Sequence, residues 1–140
     1  MDHVLLTVHF LAMAVGIGGG VASGILAEVA TRAEPAGKMS IGKAASIIGD
    51  FGFISVLVMW LSGVWMVLAI FDGFADMPNS FNLKLLGAVA LTAAVTAMQV
   101  VKRKAKAAGQ PPDPARMKMI GQIAMLSAVF TVAVAVITFA

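Results

Sequence analysis

The sequence predicts an all-α integral membrane protein built as a bundle of four transmembrane helices. Of its 140 residues, 60% are hydrophobic and only 12% are charged, whereas about a quarter of the residues in a soluble domain are charged. The apolar residues form four runs, each with the roughly 20 residues that a helix needs to cross a bilayer. Such runs are too long and too uniformly apolar for barrel strands. We therefore expect one four-helix membrane domain.

The four helices are predicted at the apolar runs, in chain order. Their approximate ranges are 4–30, 44–71, 81–101 and 119–139. The connections between them contain turn-forming residues, with Pro35 and Gly37 in the first and "DGFADMPNS" in the second. The third connection, "GQPPDPAR", contains three prolines and cannot continue a helix. Asn79 or Ser80 can cap the third helix.

Charge predicts the orientation of the bundle. The basic residues are concentrated at the first and third connections, and they are Arg32, Lys38, Lys43, Lys102, Arg103, Lys104, Lys106, Arg116 and Lys118. The second connection carries Asp72 and Asp76 but neither lysine nor arginine. Because positive charge stays cytoplasmic, both basic connections are predicted inside and both termini outside, in a bacterial cytoplasmic (inner) membrane.

The same charge pattern indicates the partners. The net charge of +3 comes from short basic connections between apolar runs. That arrangement is typical of contact with anionic lipid, so we expect the lipid bilayer as a partner and no nucleic acid. The chain has no cysteine, which excludes disulfides, thiolate metal sites and cysteine nucleophiles.

Glycines form a stripe along the first helix. Gly16, Gly20 and Gly24 lie four residues apart in "GIGGGVASG", so they share one helix face. Small residues at this spacing let another helix, or a flat ligand, approach closely. The "GIGGG" segment lies inside an apolar helix rather than in a strand-to-helix turn, so we expect no flavin or nicotinamide cofactor.

An outer layer of polar residues is predicted around His9 and Lys84. Ionisable residues at membrane depth are costly and are therefore candidates for function. His9 lies about 8 Å into the first helix and Lys84 about 5 Å into the third, at 1.5 Å per residue. Both helices begin on the same side, so the two side chains can meet, and Asp72 can pair with Lys84. His9 is either a haem ligand or a hydrogen-bonding link between helices. Trp60 can pack inside the bundle or against a ligand.

An inner polar layer is predicted near the cytoplasmic side. It contains Glu28, Asp50, Gln99 and Gln122. If Glu28 and Asp50 were neighbours, one pKa would rise and the pair could hold or pass a proton, as in a small transporter. The alternative is that Glu28 pairs with Lys43 or Arg32 at the interface, and the sequence leaves both open.

Three short elements resemble those of a known family, the membrane-embedded protoporphyrinogen IX oxidases of the HemJ type and their relatives. That family has an L-x-x-x-H element in its first helix, W-x-x-G-x-W in its second and K-L-L at the start of its third. This chain has "LLTVHF" with His9, "WLSGVW" with Trp60, Gly63 and Trp65, and "NLKLLGAVALT" with Lys84. A fourth apolar helix follows, so the resemblance in layout covers nearly the whole chain.

The resemblance implies a haem- or porphyrin-associated redox protein. It makes His9 and Lys84 the functional pair, with His9 as a ligand to the iron of haem b and Lys84 as the catalytic residue that holds a porphyrin carboxylate. Trp60 would pack on the ring, and electrons would pass to a quinone or the respiratory chain. The chain departs from the family near the inner end of the first helix, where glycines and Glu28 replace an arginine and a tyrosine or histidine. The alternative is a non-catalytic subunit of a homo-oligomer or of a larger respiratory or photosynthetic complex.

Overall fold

The structure is a bundle of four helices. The computed structural model describes residues 2–70, 73 and 79–139. The helices are α1 (Asp2–Arg32), α2 (Pro35–Ile70), α3 (Asn79–Ala107) and α4 (Pro114–Phe139). No strand occurs in this described part of the chain. Each helix is long and apolar enough to cross a membrane, which confirms the predicted all-α class and the four membrane-crossing lengths.

The helices extend beyond the predicted apolar runs. α2 begins at Pro35 rather than near residue 44, and Lys38 and Lys43 lie inside it. Proline suits the first helical position because its missing N–H would have no partner there. The N–H of Lys38 then donates to the carbonyl of Glu34 at 2.9 Å. Hydropathy predicts only the segment that favours lipid. A helix can continue through charged residues, and it ends where a capping residue terminates its backbone hydrogen bonds.

α3 ends at a glycine cap. Gly109 has a φ of 65°, and its N–H donates to the Lys106 carbonyl at 3.1 Å. The N–H of Gln110 donates to the Ala105 carbonyl at 3.0 Å. This pair of bonds is a Schellman motif, which satisfies the last carbonyls of a helix and needs a left-handed residue. α3 therefore ends at Ala107 rather than near residue 101.

α4 begins at an aspartate cap rather than near residue 119. The Asp113 carboxylate accepts the N–H of Ala115 at 3.0 Å, and Pro114 occupies the first helical position. An acidic N-cap satisfies a free N–H group and interacts favourably with the helix dipole. The two caps confine the proline-containing connection to a few residues.

Consecutive helices run antiparallel and form two hairpins. Gly16 and Gly19 of α1 face Ser55 and Ile48 of α2, so the sequence numbers run in opposite directions. The interfaces α1–α2 and α3–α4 are extensive, whereas α2–α3 and α1–α4 make fewer contacts. Both basic connections consequently lie at the same end of the bundle.

Most large apolar side chains face outward. Leu61 is 74% exposed, Leu126 71% and Ile137 77%. The buried hydrophobic residues are mainly small or β-branched, and they are Ala12, Val56, Val67, Phe81, Ala94 and Val134. In water such an exposed apolar surface would cause association, whereas lipid solvates it. Small buried residues allow the close helix approach that is typical of membrane bundles.

Charged residues on α3 mark the two ends of an apolar band. Lys84 and Lys102 are separated by 18 positions without an intervening charge, a distance of about 27 Å at 1.5 Å per residue. This distance is close to the roughly 30 Å hydrocarbon thickness of a bilayer. The band therefore matches one bilayer crossing, with the amine of each lysine able to reach its edge.

Candidate ligand site at His9

A hydrogen bond between two helices holds His9. The side chain is half-buried, and its Nδ1 lies 2.9 Å from the Oγ of Ser62 on α2. The Ser62 hydroxyl donates to the Val58 carbonyl at 2.7 Å, with the Met59 carbonyl at 3.3 Å. A hydroxyl has one proton, and the contact of Ser62 with the Val58 carbonyl is shorter than its contact with the ring. A neutral His9 that matches this arrangement carries its proton on Nδ1 and a lone pair on Nε2.

Gly63 makes room for the imidazole ring. A Cβ added at Gly63 would lie 3.4 Å from Cε1 of His9 and 3.9 Å from its Nδ1. The ring therefore packs against the α2 backbone at this position. The glycine of the W-x-x-G-x-W element and the histidine of the first helix are thus in contact, which the sequence elements alone do not reveal.

Lys84 lies close to the same site. Its side chain is half-buried, and its Nζ is 5.9 Å from the centroid of the Phe81 ring, within the range of a cation–π interaction. Its charge also acts on the His9 ring. The structure therefore brings the third-helix lysine near the first-helix histidine. The predicted pairing of Lys84 with Asp72 falls outside the described residues.

Trp60 joins the two hairpins. Its indole N–H donates to the Oγ1 of Thr92 on α3 at 2.8 Å, and the Thr92 hydroxyl donates to the Ala88 carbonyl at 2.7 Å. The N–H of Trp60 is thus used inside the protein, which leaves only its ring faces for a ligand. Trp65, in contrast, is 60% exposed.

The glycine stripe of α1 is packed at Gly16 and open at Gly20 and Gly24. A Cβ at Gly16 would lie 2.8 Å from the Ser55 Oγ, and one at Gly19 would lie 3.4 Å from Ile48 Cγ2. At Gly20 and Gly24 an added Cβ would meet nothing within 4 Å. The predicted packing role therefore belongs to Gly16, together with Gly19, while Gly20 and Gly24 form a smooth open face.

The inner polar residues have separate partners. Glu28 forms an ion pair with Arg32 at 3.0 Å, and both side chains are largely exposed. The Gln99 amide donates to the Asp50 carboxylate at 3.2 Å and to the Gly49 carbonyl at 3.3 Å. The structure therefore places Glu28 in an interfacial ion pair with Arg32 and shows Asp50 bound to α3. Gln122 is exposed on α4.

Lys102 belongs to the inner layer, which sequence reasoning missed. Its ammonium group lies against Gly49, where a Cβ would otherwise be, and the charge of Asp50 acts on it. The spacing of the sequence is enough to find this lysine. Asp50 and Gln99 are predicted at similar depth, and Lys102 is one helical turn beyond Gln99, on the same face of α3.

The donor chemistry at His9 fits a haem group. Among the described residues, no group of three or more histidine, cysteine, aspartate or glutamate side chains can hold a bare metal ion. Haem iron requires only one or two axial ligands from the protein. The Nε2 of His9 offers such a ligand, and the Lys84 ammonium offers a counter-charge for a carboxylate of the macrocycle.

Two shallow grooves on the bundle surface have apolar linings. One lies between α1 and α2 and includes Val8, Leu11 and Ser55, and the other includes Val64 and Trp65 of α2. Neither groove is lined by a charged side chain that would orient a porphyrin carboxylate. The candidate site is therefore the environment of His9 and Lys84 rather than either groove.

Comparisons of the chain with sequence models of known families, with curated proteins and with solved structures find no match.

Proposed function

We propose that this chain is a haem- or porphyrin-associated redox protein of a bacterial cytoplasmic membrane. The observation that carries the proposal is the 2.9 Å contact between His9 Nδ1 and the Ser62 Oγ, because a ring proton donated there leaves the Nε2 lone pair for a ligand at membrane depth. The charge of Lys84 beside His9 and the resemblance to the HemJ-type oxidases support the same site.

The roles of the residues follow from their chemistry. Haem b, when bound, supplies a redox centre that exchanges electrons with a quinone or the respiratory chain. His9 binds the iron, and Ser62 and Gly63 hold the imidazole. Lys84 pairs with a carboxylate of the haem or of a porphyrinogen substrate. Trp60 fixes α2 against α3 and offers a ring face to the macrocycle. The apolar surroundings keep water from the bound group.

An absorption spectrum tests the haem proposal. Wild-type protein purified from haem-replete cells is expected to show a Soret band that His9→Ala removes. His3→Ala is the matched control, because His3 is exposed near the start of the same helix and is expected to keep the band. A wild-type protein without a Soret band, or a band unchanged in His9→Ala, would contradict the proposal.

Titration with a porphyrin tests the role of Lys84. Hydrogen bonds to charged groups contribute about 1.5–3 kcal/mol, so Lys84→Ala is expected to weaken porphyrin binding by about 10–100-fold. Lys102→Ala is the control, since Lys102 is the other half-buried lysine of α3. Equal effects of the two substitutions would contradict a specific role for Lys84.

We also propose that both basic connections face the cytoplasm and both termini face out. The chain contains no cysteine, so a single introduced thiol can report on sidedness. Ala36→Cys and Gln110→Cys are expected to react with a membrane-impermeant reagent only after the cytoplasmic face is opened. His3→Cys is expected to react from outside in intact spheroplasts. The reverse pattern would overturn this orientation.

A second candidate function is a non-catalytic subunit of a larger assembly. The open space above Gly20 and Gly24 favours it, because no atom of the described residues lies within 4 Å of a Cβ added at either position. Gly20→Leu is expected to abolish co-purification with a larger complex, while Ala90→Leu, at another exposed small residue, keeps it. Assembly that survives Gly20→Leu removes this candidate.

A further inference from the structure

We infer that Ser62 is a positioning residue that fixes His9 as its Nδ1–H tautomer and so presents an unprotonated Nε2. The consequence of this assignment for iron binding rests on the proposed function. The tautomer itself follows from the geometry of α1 and α2 alone, and nothing in the sequence elements that resemble the oxidase family singles out Ser62.

The Ser62 proton has a partner in the backbone. Ser62 Oγ is 2.7 Å from the carbonyl of Val58, four residues earlier on the same helix. A carbonyl can only accept, and two oxygens 2.7 Å apart need a proton between them, so we infer that the hydroxyl donates there. The second carbonyl within reach, that of Met59 at 3.3 Å, is also an acceptor. Toward His9, the Oγ offers lone pairs only.

Burial of Ser62 protects its hydrogen bonds. Ser62 is 5% exposed, so water has little access to compete for its lone pairs. The neighbouring Gly63 lets the ring pack against the α2 backbone, with an added Cβ 3.4 Å from Cε1. Two consecutive residues of α2 therefore define the position of the ring, one through a hydrogen bond and one through the absence of a side chain.

The hydrogen bond to Ser62 would affect how His9 binds a metal. Metal-binding histidines usually donate their second ring N–H to a fixed acceptor, which sets the tautomer and raises the basicity of the ligating nitrogen. A serine hydroxyl that donates to its own helix is such an acceptor. Without it, the ring keeps its hydrogen bond with the Met59 backbone but loses the Ser62 oxygen as acceptor for Nδ1–H. The Nε2–H form then becomes more populated, and binding at Nε2 must first displace the proton from that part of the population.

Ser55 provides a matched control on the same helix. It is also 5% exposed, and its hydroxyl donates to the Gly52 carbonyl at 2.8 Å. Its Oγ faces Gly16, which has no side chain. Ser55→Ala therefore removes a buried hydroxyl of the same kind without changing the surroundings of His9.

Nitrogen-15 NMR of the histidine rings in haem-free protein tests the tautomer. In wild-type protein, Nδ1 of His9 is expected to be protonated and Nε2 unprotonated, with His3 serving as an exposed reference. Ser62→Ala is expected to give a mixture of tautomers, whereas Ser62→Thr, which retains the hydroxyl, and Ser55→Ala keep the wild-type signals. A proton on Nε2 in wild type, or unchanged signals in Ser62→Ala, would overturn the inference. The wild-type spectrum decides the point even if Ser62→Ala does not fold.

Titration with haem b separates this inference from the proposed function. Loss of an outer hydrogen bond to a metal ligand typically costs 10–100-fold in affinity, and we expect that loss for Ser62→Ala but not for Ser55→Ala. A wild-type protein that binds no haem would overturn the proposed function, while the NMR result would still decide the tautomer. Haem binding unchanged in Ser62→Ala would overturn the role of Ser62 toward the iron.

Discussion

The bundle has two polar layers at different depths, and their chemistry differs. The outer layer contains His9, Ser62 and Lys84, and the inner layer contains Asp50 and its partners on α3. Ser62 and Asp50 are 12 positions apart on α2, a separation of about 18 Å. In the outer layer, the Nδ1 of His9 bonds to the Ser62 hydroxyl, which also bonds to a backbone carbonyl of its own helix. In the inner layer, the Gln99 amide donates to the Asp50 carboxylate, and the Lys102 ammonium lies against the neighbouring Gly49.

This difference distinguishes the proposed ligand site from a structural contact. In the tautomer inferred for His9, the Nε2 lone pair is available to a metal or a proton donor. In the inner layer, an amide is hydrogen-bonded to a carboxylate across one helix interface, and such a bond connects helices. An ionisable residue at membrane depth therefore indicates a functional site only when its hydrogen-bond partners are also known.

Glycine substitutions should give the largest difference in stability between the outer and the inner end of the bundle. Gly87 on α3 is buried, and an added Cβ would collide with the Thr131 hydroxyl and lie 3.0 Å from the Phe130 ring. The Thr131 hydroxyl is bonded to the Ser127 carbonyl, so it cannot move freely. Gly87→Ala is expected to lower the free energy of unfolding by about 1–3 kcal/mol, measured by denaturation in detergent.

Gly49→Ala is the inner counterpart of that substitution. Within the described part of the chain, the end of Lys102 is the side-chain group within 4 Å of the added Cβ, and a lysine end moves easily. Alanine also has a helix propensity about 1 kcal/mol better than glycine, so we expect a change within about 1 kcal/mol. A decrease in the free energy of unfolding as large as that of Gly87→Ala would show that the surroundings of Gly49 are as rigid as those of Gly87.

The tryptophans of α2 should give an intermediate contrast. Trp60→Phe removes the hydrogen bond to Thr92 that joins the hairpins, and we expect a loss of about 1 kcal/mol in the free energy of unfolding. Trp65→Phe changes an exposed ring of the same type and is expected to leave stability near wild type. Equal effects would mean that the Trp60–Thr92 bond does not link the hairpins.

The smallest effect is expected near the connection between α1 and α2. Glu28 and Arg32 are largely exposed, and exposed pairs at this spacing contribute only about 0.3–0.5 kcal/mol. Glu28→Gln should therefore leave both unfolding and proton permeability of reconstituted vesicles unchanged. A clear drop in proton flux would instead support the transporter role that the sequence left open for Glu28 and Asp50.

The sequence predicts the helices better than it predicts their faces. Hydropathy identifies four crossings, and the cost of burying charge identifies His9 and Lys84. The helices are apolar nearly all round, so no amphipathic period shows which side meets a neighbour. The contact of Ser62 with His9, and the packing of Gly16 but not of Gly20, depend on how α1 and α2 cross. Only the structure shows that crossing. The helix ends at Pro35 and Gly109 depend on caps rather than on hydropathy.

The most direct test of a haem ligand at His9 is rescue by imidazole. His9→Gly removes the ring and leaves space beside Gly63, so free imidazole can occupy the site. We expect His9→Gly to lack the haem b Soret spectrum of wild type and to regain it when imidazole is added, while His3→Gly behaves as wild type. Haem bound by His9→Gly with the wild-type spectrum in the absence of imidazole would show that His9 is not the ligand.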